Sequence, residues 1–556
     1  MGDNPIVVPL DELRAERALQ NRELWERAES RLSRPLEGGY NIVVEACDRW
    51  ASDTDRVAVI FSDGRGTRDV WTFARLRDAS ARLATALSAL GVAQGDRVAG
   101  VMDRGPAPFV TALAAWRLGA VYVPLYSAFG PDALAYRIGG STPRVIVADA
   151  DHLDGVTDAV NRCACECEVI RVGEPRENLD AGRELWALIQ DNRPAEAIAY
   201  TRVDDPAVIM YTSGTTGEPK GCVQVHGVVF SLQPFLLHSL ALTTEDLLFA
   251  GADPGWSYGL FTSGIAVQSL GLPRVVPLGR LDPDVWVQIM HDEGVSLVAG
   301  APTMLRILVK GAGDQGFPQS MRGATCAGEP LDEGLVRRWR EAGGGRIQNT
   351  YGQSELGMVL ADLAGDEDRW VPGSFGSAVP GFQLELRDPL SEGPVTSGLL
   401  TVRDPTFQAA NGYWEGQEKW SRRWIDESTF STGDLMRRTA EGSWQFVGRD
   451  DDLIITSGYN IGPAEIEGIL LEHSAVAEAA VVAFPDEERG ALVRAVIALT
   501  GDPAPRLGAE IKQMVRDRLG RHAVPRIIEI VDELPKTKTG KIRRVDVRES
   551  TAGKRL

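Results

Sequence analysis

The chain is short of positive charge: 59 lysines and arginines face 78 acidic residues among 556, a formal net charge of −19. So acidic a surface repels a phosphate backbone, which excludes a general nucleic-acid or anionic-membrane binder and leaves any polyanion to a local site. Long apolar runs are lacking too. The two best, Phe109–Ala115 and Leu118–Pro124, are split by Arg117, so no membrane span is expected. The start, Met1-Gly2-Asp3-Asn4-Pro5, lacks the basic residues and apolar stretch of a secretion signal, and a cytoplasmic location is expected. Cysteine is scarce, six in all, three of them in Cys163-Ala164-Cys165-Glu166-Cys167. No fourth Cys or His lies near in sequence to complete a metal site. These three are expected as alternating strand residues in a reducing compartment.

What is there is the composition of folded domains, 44% hydrophobic and 25% charged. The length implies more than one core. Leu10 to Leu32 is charged and helix-periodic, a cover for the main domain. From Val57 onward strand-like and helical runs alternate. Val70–Leu90 reads as largely helix, Arg97–Met102 as strand, Pro108–Leu118 as helix and Ala120–Pro124 as strand. The alternation predicts an α/β fold with parallel-rich sheets. After Gly448-Arg449-Asp450-Asp451-Asp452 the units shorten: a helix near Glu465–Glu472, strands at Ala479–Phe484 and Val493–Leu499, and a helix near Leu507–Leu519. A large domain over 1–448 and a small α+β domain over 449–556 are expected, with the aspartate run as hinge near Asp451.

The most specific segment is Tyr211-Thr212-Ser213-Gly214-Thr215-Thr216-Gly217-Glu218-Pro219-Lys220-Gly221, which follows the apolar strand Ala207-Val208-Ile209-Met210. Glycines let backbone N–H groups converge on phosphate oxygens, hydroxyls add donors, and Lys220 adds charge. The expected setting is the end of a strand in a parallel sheet. It is not a Walker A, because Gly221 follows the lysine where Ser or Thr would be needed. Three further segments carry polar chemistry: Asn349-Thr350-Tyr351-Gly352-Gln353-Ser354-Glu355-Leu356-Gly357, Ser431-Thr432-Gly433-Asp434-Leu435 and Pro535-Lys536-Thr537-Lys538-Thr539-Gly540-Lys541. Glu355 suits a hard divalent cation. Tyr351 offers a flat ring, and Asp434 can accept from two hydroxyls.

With these segments in this order, the chain resembles the adenylate-forming superfamily over most of its length. Within it, the acetyl- and medium-chain acyl-CoA synthetase branch is the nearest in pattern. The resemblance implies ATP, Mg²⁺ and CoA, and a carboxylic acid made into an acyl-adenylate and then a thioester. Thr212, Ser213, Gly214, Thr215, Thr216 and Lys220 would then hold phosphates. Glu355, beside Ser354 where the family more often has Thr, would hold the metal. Asn349, Thr350 and Tyr351 on one side, and Gly328, Glu329 and Pro330 on the other, would enclose the adenine. Asp434 would take the ribose and Arg449 would lie at the nucleotide. Lys541 would bridge carboxylate and α-phosphate as the catalytic cation, a contribution of about 3 kcal/mol. The resemblance further implies rotation of the small domain about Asp451, bringing Gly458 beside the thiol arm. Asn460 departs from the family's Arg or Lys. Lys541 is also an expected target of a lysine acetyltransferase and a deacetylase. His226, just after the loop, reads as structural.

For the acid, Ala252-Asp253-Pro254-Gly255-Trp256-Ser257-Tyr258-Gly259 is similar to the family's acyl-pocket segment, which nominates Asp253 and Trp256. In strict acetate enzymes of the family a tryptophan caps the pocket at the position of Gly352. Its absence predicts a deeper pocket, each buried CH₂ contributing about 0.8 kcal/mol. Short- to medium-chain or small aromatic acids are therefore expected. No carrier-protein segment and no H-H-x-x-x-D-G motif is present, which favours free CoA. Two alternatives share the motifs: a ligase loading a carrier protein in trans, and an impaired adenylate-binding protein.

Overall fold

The computed structural model describes residues 4–173, 183–212, 219–329, 331–366, 371, 373–388, 395–452, 454–456, 459–486, 490–503, 505–521, 523–536, 542–550 and 554–555. Two large sheets form the centre. One has eight strands, in spatial order Ala410–Tyr413, Lys220–Val225, Pro206–Thr212, Val121–Leu125, Arg97–Val101, Val145–Asp149, Glu168–Val172 and Arg183–Glu184. The other has seven, from Arg346–Asn349 through Gly323–Cys326, Leu297–Gly300, Leu248–Ala250, Arg274–Pro277 and Val57–Ser62 to Arg68–Thr72. Each sheet is parallel apart from antiparallel strands at one edge. Helices cover the sheets, and this explains the continuous apolar runs such as Val145-Ile146-Val147-Ala148, whose side chains are all buried. The expected α/β class with parallel-rich sheets is borne out.

Local chemistry sets many boundaries. Thr72 accepts from Arg75 N and starts the helix Phe73–Ala89. Asp282 accepts from Val285 N, with Pro283 at the first turn, and Gly294 ends that helix at φ 68°. Some expectations need correction. Val70 and Trp71 are strand residues, paired with Ile60 and Val59. The helix-periodic Leu10–Leu32 segment is helical as expected, as two helices, Leu10–Glu16 and Asn21–Glu29. Cys163 ends a helix, Ala164 takes φ 50°, and Cys165–Cys167 precede the strand Glu168–Val172 rather than lying in it. Burial pushes the Cys167 thiol up to about 12 and raises that of Cys165 as well, so neither of these two is a reactive thiolate.

A five-stranded antiparallel sheet ends with Trp444–Arg449, followed by a turn at Asp450–Asp452. The last sheet runs Val476–Asp486, Gly490–Leu499, Ile527–Val531, Lys554–Arg555. Its first two strands form a hairpin, and the helix Leu507–Leu519 makes the parallel crossover to the third. Ile454, Ile466, Val481, Ile497, Ile511 and Ile528 form a core cluster made only of residues beyond 450. Among the described residues no helix is long and apolar enough to cross a membrane.

Candidate active site

A cleft of about 780 Å³ opens between the C-terminal ends of the parallel strands, the antiparallel sheet and the C-terminal helices. Thr212, Lys220, Trp256, Gly328, Glu329, Asn349, Thr350, Tyr351, Gly352, Ser354, Glu355, Asp434 and Arg449 line it. Ser213, Gly214, Thr215, Thr216, Pro330, Gly458 and Lys541 lie outside the described residues, and of Asp451 only the backbone turn is described. Asp253 does not line the cleft. Its carboxylate turns back to accept from Gly255 N at 2.8 Å, in a half-buried group with Arg104 and Tyr126 beside the buried Tyr122, and desolvation raises its pKa.

The glycine-rich loop joins Pro206–Thr212 to Lys220–Val225, which pair antiparallel with Thr212 opposite Lys220. The strand Pro206–Thr212 pairs parallel with Val121–Leu125 on its other side, so the expected strand end in a parallel sheet is present, while residues 213–218 of the loop itself lie outside the described residues. The antiparallel ladder itself holds Lys220 and Thr212 side by side. Burial lowers the Lys220 pKa, Arg423 adds to this, and Glu355 opposes it. His226 is fully buried, and its Nδ1 accepts from Ile42 N at 3.3 Å. It is a structural residue, as expected.

Asp434 sits at the centre of a hydrogen-bond network. Its Oδ2 accepts from Tyr351 Oη at 2.5 Å and Gln353 Nε2 at 2.7 Å, while Oδ1 pairs with Arg449 Nε at 3.2 Å. Asp434 and Arg449 face each other across the sheet. Arg423 reaches in from the neighbouring strand turn and donates to Gln353 Oε1 at 2.9 Å and Thr432 O at 2.8 Å. Burial raises the Asp434 pKa, with Arg449, Tyr351 and Gln353 pulling the other way. Gly433 takes φ 66° at a bulge inside the strand Thr429–Arg438, where the pairing shifts between Leu399–Leu435 and Thr401–Ser431.

On the opposite wall, Gly328 has φ 90°, and Glu329 Oε2 accepts from Thr303 N at 3.0 Å and Thr303 Oγ1 at 2.6 Å. Thr350 Oγ1 donates to Cys326 O at 2.9 Å, and Asn349 Nδ2 to Gly373 O at 3.3 Å. Glu355 Oε1 accepts from Tyr413 Oη at 2.5 Å. Trp256 stacks on Tyr258 at 5.2 Å between centroids, beside Val228 and Leu232. The small C-terminal part reaches the same cleft through Ala464, Glu465 and Arg518, and Arg437 Nη1 meets Glu465 Oε1 at 2.8 Å.

Gly352 corrects a second expectation. It lies opposite Met358 in an irregular antiparallel pair. A Cβ there would collide with Gly357 O and sit 2.9 Å from Met358 Sδ. The direction an indole would take is filled, so the missing side chain does not by itself open volume. Gln353, Tyr413 and Arg423 were not singled out from the sequence. Tyr413 is 58 positions from Glu355 and Arg423 is 70 from Gln353, and no spacing signal links such distant partners.

Residues 47–414 match the AMP-binding enzyme family and residues 465–541 match the AMP-binding enzyme C-terminal domain. The chain belongs to the AMP-binding enzyme family. An acetyl-coenzyme A synthetase of Bacillus subtilis (strain 168) is 32% identical over 539 residues, 94% of this chain and 92% of the relative. The crystal structure of a Brucella canis acyl-CoA synthetase is similar with a TM-score of 0.73 and 32% identity, covering 97% of this chain and 98% of that one. A benzoate CoA ligase from Burkholderia xenovorans LB400 is similar with a TM-score of 0.79 and 28% identity, covering 92% and 100%. The expectation of an AMP-forming acid–thiol ligase of the adenylate-forming superfamily is borne out.

Proposed function

We propose that this AMP-binding enzyme activates a carboxylic acid longer than acetate, short- to medium-chain or small aromatic, and transfers it to coenzyme A. The observation that carries the reading is convergence. Lys220, Tyr351, Glu355 and Asp434 arrive from a hairpin, a short strand, its following turn and an antiparallel sheet, and all line one cleft.

In the first half-reaction a carboxylate oxygen attacks the α-phosphorus of ATP, and the bond to the bridging oxygen breaks to release pyrophosphate. Lys220 and Thr212 hold phosphate oxygens, with Ser213, Gly214, Thr215 and Thr216 assigned there on sequence grounds. Tyr351 and Gly328 enclose the base, and Asp434 accepts from the ribose, its orientation fixed by Arg449 and Gln353. Glu355 with Ser354 is an all-oxygen donor pair that fits a hard divalent cation. Mg²⁺ bound there would neutralise phosphate charge. Lys541 is assigned to the charge developing between carboxylate and phosphate. In the second half-reaction the thiolate of CoA attacks the acyl carbon and AMP leaves. Arg437 and Glu465 hold one orientation of the small domain, and a turn about Asp450–Asp452 supports exchange between the two half-reactions.

The acid end is supported by the apolar wall of Val228, Leu232, Trp256 and Met358, which suits several carbons or a ring. The test is CoA-dependent AMP release with Mg-ATP over acids from acetate to dodecanoate and benzoates. A maximum beyond acetate supports the reading. A maximum at acetate refutes the size assignment, and AMP release indifferent to CoA refutes the acceptor.

A further inference from the structure

We propose that Tyr413 is a positioning residue that holds Glu355 ready for the divalent cation and keeps Lys220 from pairing with it. The inference rests on the reading of Glu355 as the metal ligand. Tyr413 closes the strand Ala410–Tyr413, the edge strand beside Lys220–Val225, with Tyr413 opposite Cys222. That edge is fixed at both ends. Ala410 N donates to Glu355 O at 3.0 Å, and Trp414 N donates to Gly221 O at 2.7 Å. Trp414 Nε1 also donates to Gly140 O at 2.9 Å. The Tyr413 ring meets Trp420 edge-on at 5.3 Å, and Trp420 packs on Phe430 at the same distance. Such a ring has little freedom to turn away.

From this fixed position Tyr413 serves two opposite charges. Its hydroxyl donates to Glu355 Oε1 at 2.5 Å, and its face receives Lys220 Nζ 5.6 Å from the centroid. Lys220 and Glu355 act on each other electrostatically, with Arg423, Lys419 and Arg449 as the other nearby charges. In a partly buried cleft a carboxylate and an ammonium attract strongly. Direct pairing would take the acid from the cation and the amine from the phosphates. Tyr413 gives each another partner: a charge-assisted hydrogen bond for the acid and a π face for the amine.

The test titrates Mn²⁺ by electron paramagnetic resonance against the full chain with a non-hydrolysable ATP analogue, and separately measures analogue binding without metal. Tyr413→Phe is expected to weaken Mn²⁺ about tenfold, the usual scale for losing a partner of a metal ligand, with metal-free analogue affinity and melting temperature unchanged. In a Glu355→Gln background the same substitution is expected to change nothing. Tyr413→Leu, which also removes the ring, is expected to weaken metal-free analogue binding, and Glu355→Gln added to it to restore that binding. Mn²⁺ affinity retained in Tyr413→Phe, or lost equally in the Glu355→Gln background, overturns the proposal. A wild-type enzyme that binds no Mn²⁺ with the analogue overturns the metal reading of Glu355 itself, a distinct failure.

Discussion

Replacing His226 by glutamine probes the packing beneath the phosphate loop. His226 follows the strand that carries Lys220, is 0% exposed, and accepts from Ile42 N through Nδ1. Burial alone pushes its pKa from 6.5 down to about 3, so the imidazole is neutral in the fold. The unfolded chain takes up a proton below pH 6.5 and the folded chain does not until about pH 3. Stability from this group is therefore complete above pH 6.5 and is lost as pH falls towards 3. At about 1.4 kcal/mol per unit, a shift of conditions from about pH 7.5 to about pH 5 removes roughly 2 kcal/mol. His226→Gln keeps an acceptor for Ile42 N and cannot titrate. Urea unfolding of both proteins at the two pH values gives the difference directly. Wild type is expected to lose about 2 kcal/mol more than the variant; equal losses would refute the reasoning. His238, also drawn to about 3 by burial together with Arg17 and Arg31, gives a second acid-sensitive site in the same direction.

Three more outcomes are expected. Asp434→Asn removes the charge that Arg449 answers and should raise the KM for ATP about tenfold to a hundredfold, the scale of a lost charged hydrogen bond, as read by steady-state kinetics. Gly352→Ala forces a Cβ into Gly357 O and should destabilise the protein by about 1–3 kcal/mol, lowering activity on every acid alike; a selective gain for acetate would contradict this. Lys541→Ala should slow acid-dependent pyrophosphate exchange on the order of a hundredfold while calorimetry shows ATP binding retained.

The fold was legible where its signals are local. Strand and helix periods placed Arg97–Val101 and Leu507–Leu519 to within a residue or so: burial on both sheet faces leaves the strand an apolar run, and Leu507, Ile511 and Val515 repeat every four residues on the helix's buried face. It was less legible where a distant partner decides. Val70 and Trp71 look like the first turn of the following helix, yet Val59 and Ile60 claim them as strand. Helix formation then waits for the Thr72 cap. Likewise the alternating cysteines have a strand pattern, but Ala164 at φ 50° breaks the backbone before the sheet begins.

The candidate site divides the same way. Residue types reveal what chemistry a segment offers, so the loop lysine, the glutamate and the S-T-G-D aspartate stand out without a structure. The groups that aim them do not: Tyr413, Gln353 and Arg423 are ordinary residues until the sheets bring them within hydrogen-bond reach. Gly352 shows the reverse hazard. Read from sequence, an absent side chain is empty space. In the fold, the Gly357 carbonyl and Met358 occupy that direction, and the glycine is needed for two strands to approach. On the proposed reading, the room for an acid is what Val228, Leu232, Trp256 and Met358 leave open in the cleft they line. Changes of chain-length preference should follow substitutions at those four positions, while substitutions at Gly352 act on folding first.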